Sequence, residues 1–137
     1  MKSEILENIS VLVVEDEQDT RDFVGFVLET YGANPTLVDS VSDALGIIGT
    51  APPDVIVTDI DMPGKNGYAL IASIRKNERK EIRTIPVIAL TAHGTTTDQD
   101  TGLISGFNKY LTKPFENSLL VNTIKTLHDD RKIGSAA

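Results

Sequence analysis

Cysteine is absent from this chain, so no disulfide framework is available to it. Absent too is any run of about eighteen apolar residues, which leaves no candidate for a membrane-spanning helix. Met1 leads into mixed polar sequence rather than into a basic stretch followed by an apolar one, so nothing points to export and a cytoplasmic location is expected. Positive charge is in short supply: 13 basic residues stand against 20 acidic ones, for a formal net charge of -7. The overall field therefore disfavours nonspecific attraction to nucleic acid or anionic lipid, and a small folded protein is the expected partner.

What is present fits a single domain. The length of 137 residues and hydrophobic content of 40% suffice for one core without oligomerisation. That core is expected over about residues 9–127, with 128–137 a C-terminal tail in which Gly134 to Ala137 reads as disordered. No internal repeat, low-complexity tract or linker interrupts the chain.

Val11 to Val14 is a β-branched run that stops at Glu15, Asp16 and Glu17, and similar apolar runs recur at Asp54 to Thr58 and Pro86 to Leu90. These predict strands buried on both faces. Weaker strand signals lie at Asn34 to Val38, after Gly32, and at Lys109 to Thr112, before Pro114. Between them the apolar period becomes helical. Phe23, Val27, Leu28 and Tyr31 form one stripe, and Val41, Ala44, Leu45 and Ile48 a second. Leu70, Ile71 and Ile74 form a third, and Phe115, Leu119, Leu120, Ile124 and Leu127 a fourth. Strands alternating with helices at this pace predict βα units: a doubly wound, five-stranded parallel sheet with helices on both faces. The stretch Gly94 to Gly106 is rich in Thr, Asp and Gly, each costing a helix up to roughly 1 kcal/mol against Ala, so any helix there is expected to be the least stable one.

Ligands of an open parallel sheet bind beyond the carboxyl ends of its strands. The first strand ends in Glu15, Asp16 and Glu17, the third in Asp59 and Asp61, the fourth in Thr91 and the fifth in Lys113. Crowded carboxylates repel one another and take up protons unless a cation sits among them. Hard oxygen donors without His or Cys suit Mg²⁺. An aspartate can carry a phosphoryl group as an acyl phosphate, while a cation and Lys113 neutralise the phosphoryl oxygens and the Thr91 hydroxyl donates to one of them. Glu17 is expected to be solvated surface. Asp16 and Asp59 each directly follow a buried strand, which favours a site.

Four strings, in this order, resemble the receiver domains of two-component response regulators, of the chemotaxis-regulator type. They are Val11 to Glu17, Pro53 to Gly67, Ile85 to His93 and Gly106 to Phe115, and the likeness spans about Ile9 to Leu127. The resemblance implies a flavodoxin-like (βα)5 fold and a phosphorelay function, with the phosphoryl group passed from a histidine kinase or histidine phosphotransfer protein onto Asp59. It implies that Asp16, Asp59 and the backbone carbonyl of Asp61 bind Mg²⁺, with Glu15 holding the metal through water. Lys113 would grip the phosphoryl oxygens, Thr91 would move toward them, and Tyr110 would be the aromatic switch behind Thr91. Ala92 would leave room for the donor, and the bond between Lys113 and Pro114 would be cis. An unidentified protein partner would read the state through the 94–127 face. Such a domain catalyses only its own phosphorylation and dephosphorylation.

Asp61 and His93 occupy positions that tune phosphoryl lifetime in that family. His93 and His128 are otherwise expected to face solvent, and the basic run Arg75, Lys76, Arg79, Lys80 and Arg83 to be a solvated helix end rather than a docking patch. Two alternatives differ in class. A haloacid-dehalogenase-like phosphatase also uses an Asp-x-Asp pair, but wants Thr or Val where Pro63 stands. A degenerate receiver, acting only as an interaction module, would lack Asp59, Lys113 or the acidic pair.

Overall fold

The computed structural model describes residues 4–62, 66–92 and 106–136, the last five by backbone alone. Five parallel strands form one sheet: β1 (Ser10–Val14), β2 (Asn34–Val38), β3 (Val55–Asp59), β4 (Val87–Thr91) and β5 (Lys109–Thr112), in the order β2-β1-β3-β4-β5. Among the described residues the helices are α1 (Gln18–Thr30), α2 (Val41–Thr50), α3 (Gly67–Arg75), the single turn α4 (Lys80–Arg83) and α5 (Asn117–Ala136). None of them is long and apolar enough to cross a membrane.

The strands form because their β-branched residues bury on a pleated surface and alternate between two cores. Val11, Val13, Val55, Val57, Ile88 and Leu90 point to one face, where Val24, Val27 and Leu28 of α1 meet Leu120, Val121 and Ile124 of α5. Leu12, Val14, Ile56, Val87 and Ala89 point to the other, against Val41, Ala44 and Ile48 of α2 and Leu70, Ile71 and Ile74 of α3. Every residue of β3 and β4 is buried, whereas the edge strand β2 is mostly exposed or half-buried. Pro35 sits in that edge strand, where a missing N–H costs the ladder least. Ser40 caps α2 by accepting from Asp43 N at 3.1 Å, and Asn66 caps α3 by accepting from Tyr68 N and Ala69 N.

Three expectations need correction. Phe23 is 54% exposed and Leu119 49%, so neither belongs to its predicted stripe. The buried arcs centre instead on Val24, Val27 and Leu28 and on Leu120, Val121 and Ile124, because the sheet selects one arc of each helix from an apolar surface wider than the contact. The tail boundary also shifts: α5 continues unbroken from Asn117 to Ala136, through the residues read as a disordered end. Arg75, finally, is not a solvated helix end. Its guanidinium donates to the carbonyls of Gly106, Arg83 and Ile85 at 3.0, 2.8 and 2.8 Å. Arg79 donates to Glu81 and to Gly49 O, and Arg83 to the carbonyls of Asn77 and Glu78, all at exposed positions.

Candidate functional site

The strand order reverses direction between β1 and β3, and the crevice beyond their carboxyl ends is where the chain places its acids. In register, Val14 lies beside Thr58 and Asp59 beside Leu90, so the residues just past β1, the last of β3 and the last of β4 share one rim. Asp59 is 6% exposed and Glu15 2%, while Asp16 stands in the open at the mouth. Each of the three offers an oxygen, and all three oxygens lie within 4.8 Å of one another.

Lys113 reaches this cluster from the end of β5. Its Nζ donates to Glu15 Oε1 at 2.8 Å and stands 3.6 Å from Asp59 Oδ2. The peptide bond between Lys113 and Pro114 is cis, and Lys113 N donates to Thr91 O at 2.6 Å, which brings the stem back over the end of β4. Burial raises the Glu15 carboxyl above its ordinary range, and Asp59 pushes the same way against the opposing pull of Lys113. For Lys113 burial acts downward, but the hydrogen bond to Glu15 and the negative fields of Asp59 and Glu15 outweigh it, so the ammonium is held above its usual range.

Among the described residues one buried side-chain polar atom is left over: Glu15 Oε2 has no hydrogen-bond partner. An orphaned carboxylate oxygen beside two more carboxylates, all hard oxygen donors, fits a divalent cation of the Mg²⁺ type, with Lys113 supplying only one of the positive charges the cluster calls for. Asp61 N donates to Asp59 Oδ1 at 3.1 Å, which folds the chain after β3 back toward the carboxylate. The Asp61 side chain itself is exposed.

Thr91 is 1% exposed at the end of β4, beside Thr112 of β5. Tyr110 is half-buried and packs against the core shared by α2 and α3. Glu17 is exposed and accepts from the Thr20 hydroxyl at 2.8 Å, as expected of solvated surface. His128 is half-buried rather than solvent-facing. His93, and the segment Gly94 to Gly106 apart from its last residue, lie outside the described residues, as does Pro63.

Several residues that shape the site carried no individual signal in the sequence. Arg21 on α1 donates to Glu15 O at 2.9 Å and to Asp16 O at 3.5 Å, holding the acidic loop by its carbonyls. The buried Thr58 hydroxyl donates to Asp59 O at 3.0 Å. At Gly67 a Cβ would come within 2.8 Å of Asp59 O, so only glycine lets α3 start against the end of β3. For Arg21 the spacing of five and six residues after Asp16 and Glu15 is the one available clue.

The response regulator receiver domain family matches residues 11–125. The chain belongs to that family. A 14.6 kDa protein of Leptolyngbya boryana is 38% identical over 120 residues, covering 88% of this chain and 90% of that protein. The phosphate regulon transcriptional regulatory protein PhoB of Escherichia coli is 38% identical over 117 residues, covering 85% of this receiver but only half of its own length. Among solved structures, a Francisella response regulator receiver domain superposes with a TM-score of 0.83 at 34% identity, covering 90% of this chain and 99% of that one. Membership makes the chain a component of two-component signalling rather than a haloacid-dehalogenase-like phosphatase. Receivers typically bind Mg²⁺, and the cluster of Glu15, Asp16 and Asp59 is one that could hold it.

Proposed function

We propose that this receiver takes a phosphoryl group from a phosphohistidine onto Asp59 and changes its binding to a partner protein as a result. The observation that carries the reading is Asp59 itself. It is a nearly buried carboxylate at the end of a fully buried strand, with the Lys113 ammonium 3.6 Å away and the acids of β1 alongside.

An Asp59 oxygen attacks phosphorus, the new oxygen–phosphorus bond forms as the phosphorus–nitrogen bond breaks, and the donor imidazole leaves. Lys113, now shared between Glu15 and Asp59, moves its charge onto the phosphoryl oxygens, and the Thr91 hydroxyl donates to one of them. Asp16, Asp59 and the Asp61 carbonyl, with Glu15 through water, would hold Mg²⁺, which would supply further positive charge to the phosphoryl group. Tyr110 follows Thr91 inward, and Asp61 sets how long the acyl phosphate survives. Phosphorylation and its loss are the only reactions the site catalyses. The domain works in the cytoplasm with a histidine kinase or histidine phosphotransfer protein as donor, and the 94–127 face meets the output partner without nucleic acid or membrane. A receiver acting only as an interaction module needs an incomplete site, whereas Asp59, Lys113 and both acids of β1 stand together here.

The test is Asp59→Asn. The variant should fold and take up no phosphate from acetyl phosphate or from a histidine kinase. Acid-labile, hydroxylamine-sensitive phosphate retained by that variant sinks the assignment.

A further inference from the structure

β5 has four residues, lies at the edge of the sheet and pairs with β4 alone. A strand so short has few rungs to define its register. A slip of one residue would turn Tyr110 to the opposite face and carry Lys113 about 3.3 Å along the strand. Such a shift would draw Lys113 away from the rim, where its Nζ stands 2.8 Å from Glu15 and 3.6 Å from Asp59.

At the foot of the strand, two side chains supply what the short ladder lacks. Asn108 N donates to Val87 O at 2.8 Å, and Val87 N donates back to Asn108 Oδ1 at 2.8 Å, so a side-chain amide completes a rung where a second backbone carbonyl would otherwise be needed. The same Oδ1 accepts from Arg75 Nη2 at 2.8 Å, and the two converging donors fix which way the amide is turned. The remaining nitrogens of Arg75 grip the carbonyls of Gly106, Arg83 and Ile85. One rigid, planar group at the end of α3 thereby ties the approach to β4 to the approach to β5. Gly106 has φ +115°, and a Cβ there would sit 3.1 Å from Arg75 Cγ, so glycine is what lets the clamp close.

We propose that Asn108 and Arg75 form a register lock for β5 and are positioning residues for Lys113. The inference rests on the phosphoacceptor reading only for its activity readout. In Asn108→Ala the lock loses its shared acceptor. Phosphate uptake from saturating acetyl phosphate should slow by about 10- to 100-fold, the scale on which a misplacement of about 1 Å acts, with little change in the concentration at half-saturation. Asn108→Asp should restore the rate, because a carboxylate accepts from both Val87 N and Arg75. In a Lys113→Ala background the Asn108→Ala loss should vanish, which a general weakening of the fold would not produce. Arg75→Lys, with one compact head in place of a fork, should fold and show part of the same loss. Amide exchange in metal-free, unphosphorylated protein gives a readout independent of phosphate: Asn108→Ala should speed exchange at Val87 and at residues 109–112 and leave β1 and β3 unchanged. A wild-type uptake rate in Asn108→Ala, or an undiminished loss in the Lys113→Ala background, overturns the lock. Failure of the wild-type protein to take up phosphate would overturn the Asp59 reading instead, and exchange at residues 109–112 then decides the lock by itself.

Discussion

The two ends of this sheet treat their polar groups in opposite ways. At the amino ends, side chains close open valences. Ser10, which opens β1, and Asp54, just before β3, make three hydrogen bonds to each other through their side chains, Asn108 completes a rung of β4, Arg75 fills three carbonyls, and Arg131 of α5 reaches Glu81 O at 2.8 Å. At the carboxyl ends, three carboxylates cluster, two of them share the Lys113 ammonium, and a buried oxygen of Glu15 is left without a partner. A fold gains stability from satisfied polar groups, and it gains binding capacity from groups held in place and left short of charge. The difference therefore separates the end that holds the sheet together from the end we propose to react.

Four measurements can break or sharpen that contrast. The largest effect is expected from Lys113→Ala, which removes the ammonium that meets Glu15 and Asp59 at the end proposed to react. Phosphate uptake should fall by about 10²- to 10³-fold, the usual cost of one charge-stabilising donor, while the fold survives. A rate within a factor of about three of wild type would place the phosphoryl charge elsewhere.

Arg75→Met keeps the stem and removes the fork at the structural end. Unfolding free energy should drop by about 2–3 kcal/mol, less than four separate bonds would suggest because water reaches the Arg83 carbonyl. Denaturant titration measures it, and an unchanged midpoint would mean that the clamp adds nothing to stability.

Mg²⁺ should raise the melting temperature of the wild-type protein, since it binds only the assembled acids. At about ten times its Kd the gain is about 1.4 kcal/mol, and Asp16→Ala should remove most of it. An equal gain in that variant would place the metal away from this cluster.

The smallest effect concerns pH, and the two ends should differ in sign. Glu15 is raised by burial first, so in EDTA its contribution is fully present below its ordinary value of 4.5 and is lost as pH rises through the raised folded value. Glu81 at the other end is lowered, first by its own backbone amide and then by Arg79, so its contribution is present above 4.5 and is lost as pH falls through the lowered value. Melting curves of Glu15→Gln and Glu81→Gln across pH should lose opposite slopes. Slopes of the same sign would undo the contrast.

The strands and their ends were legible because they are local patterns. Val11 to Val14 followed by Glu15, and Asp54 to Thr58 followed by Asp59, state both a buried run and the residue that leaves it, and a parallel sheet then brings such ends together. The order of four strings added the family. The helical stripes were less legible, since Phe23 and Leu119 satisfy the period as well as their buried neighbours do and only docking on the sheet decides which arc is covered.

The sequence alone settled the alternation of elements, the side-chain types carried at each strand end and, through the four ordered strings, the receiver family. Tertiary structure alone decided how those groups share their charges: that Lys113 bonds Glu15 more closely than Asp59, that one Glu15 oxygen is orphaned, and that Arg75 turns inward to the feet of two strands. Arg75 and Arg79 lie four residues apart in one basic run and each is followed by a lysine, yet one clamps the sheet and the other meets Glu81 at the surface. The physical reason is that hydrogen-bond partners tens of residues apart are chosen by packing, which a local pattern does not encode.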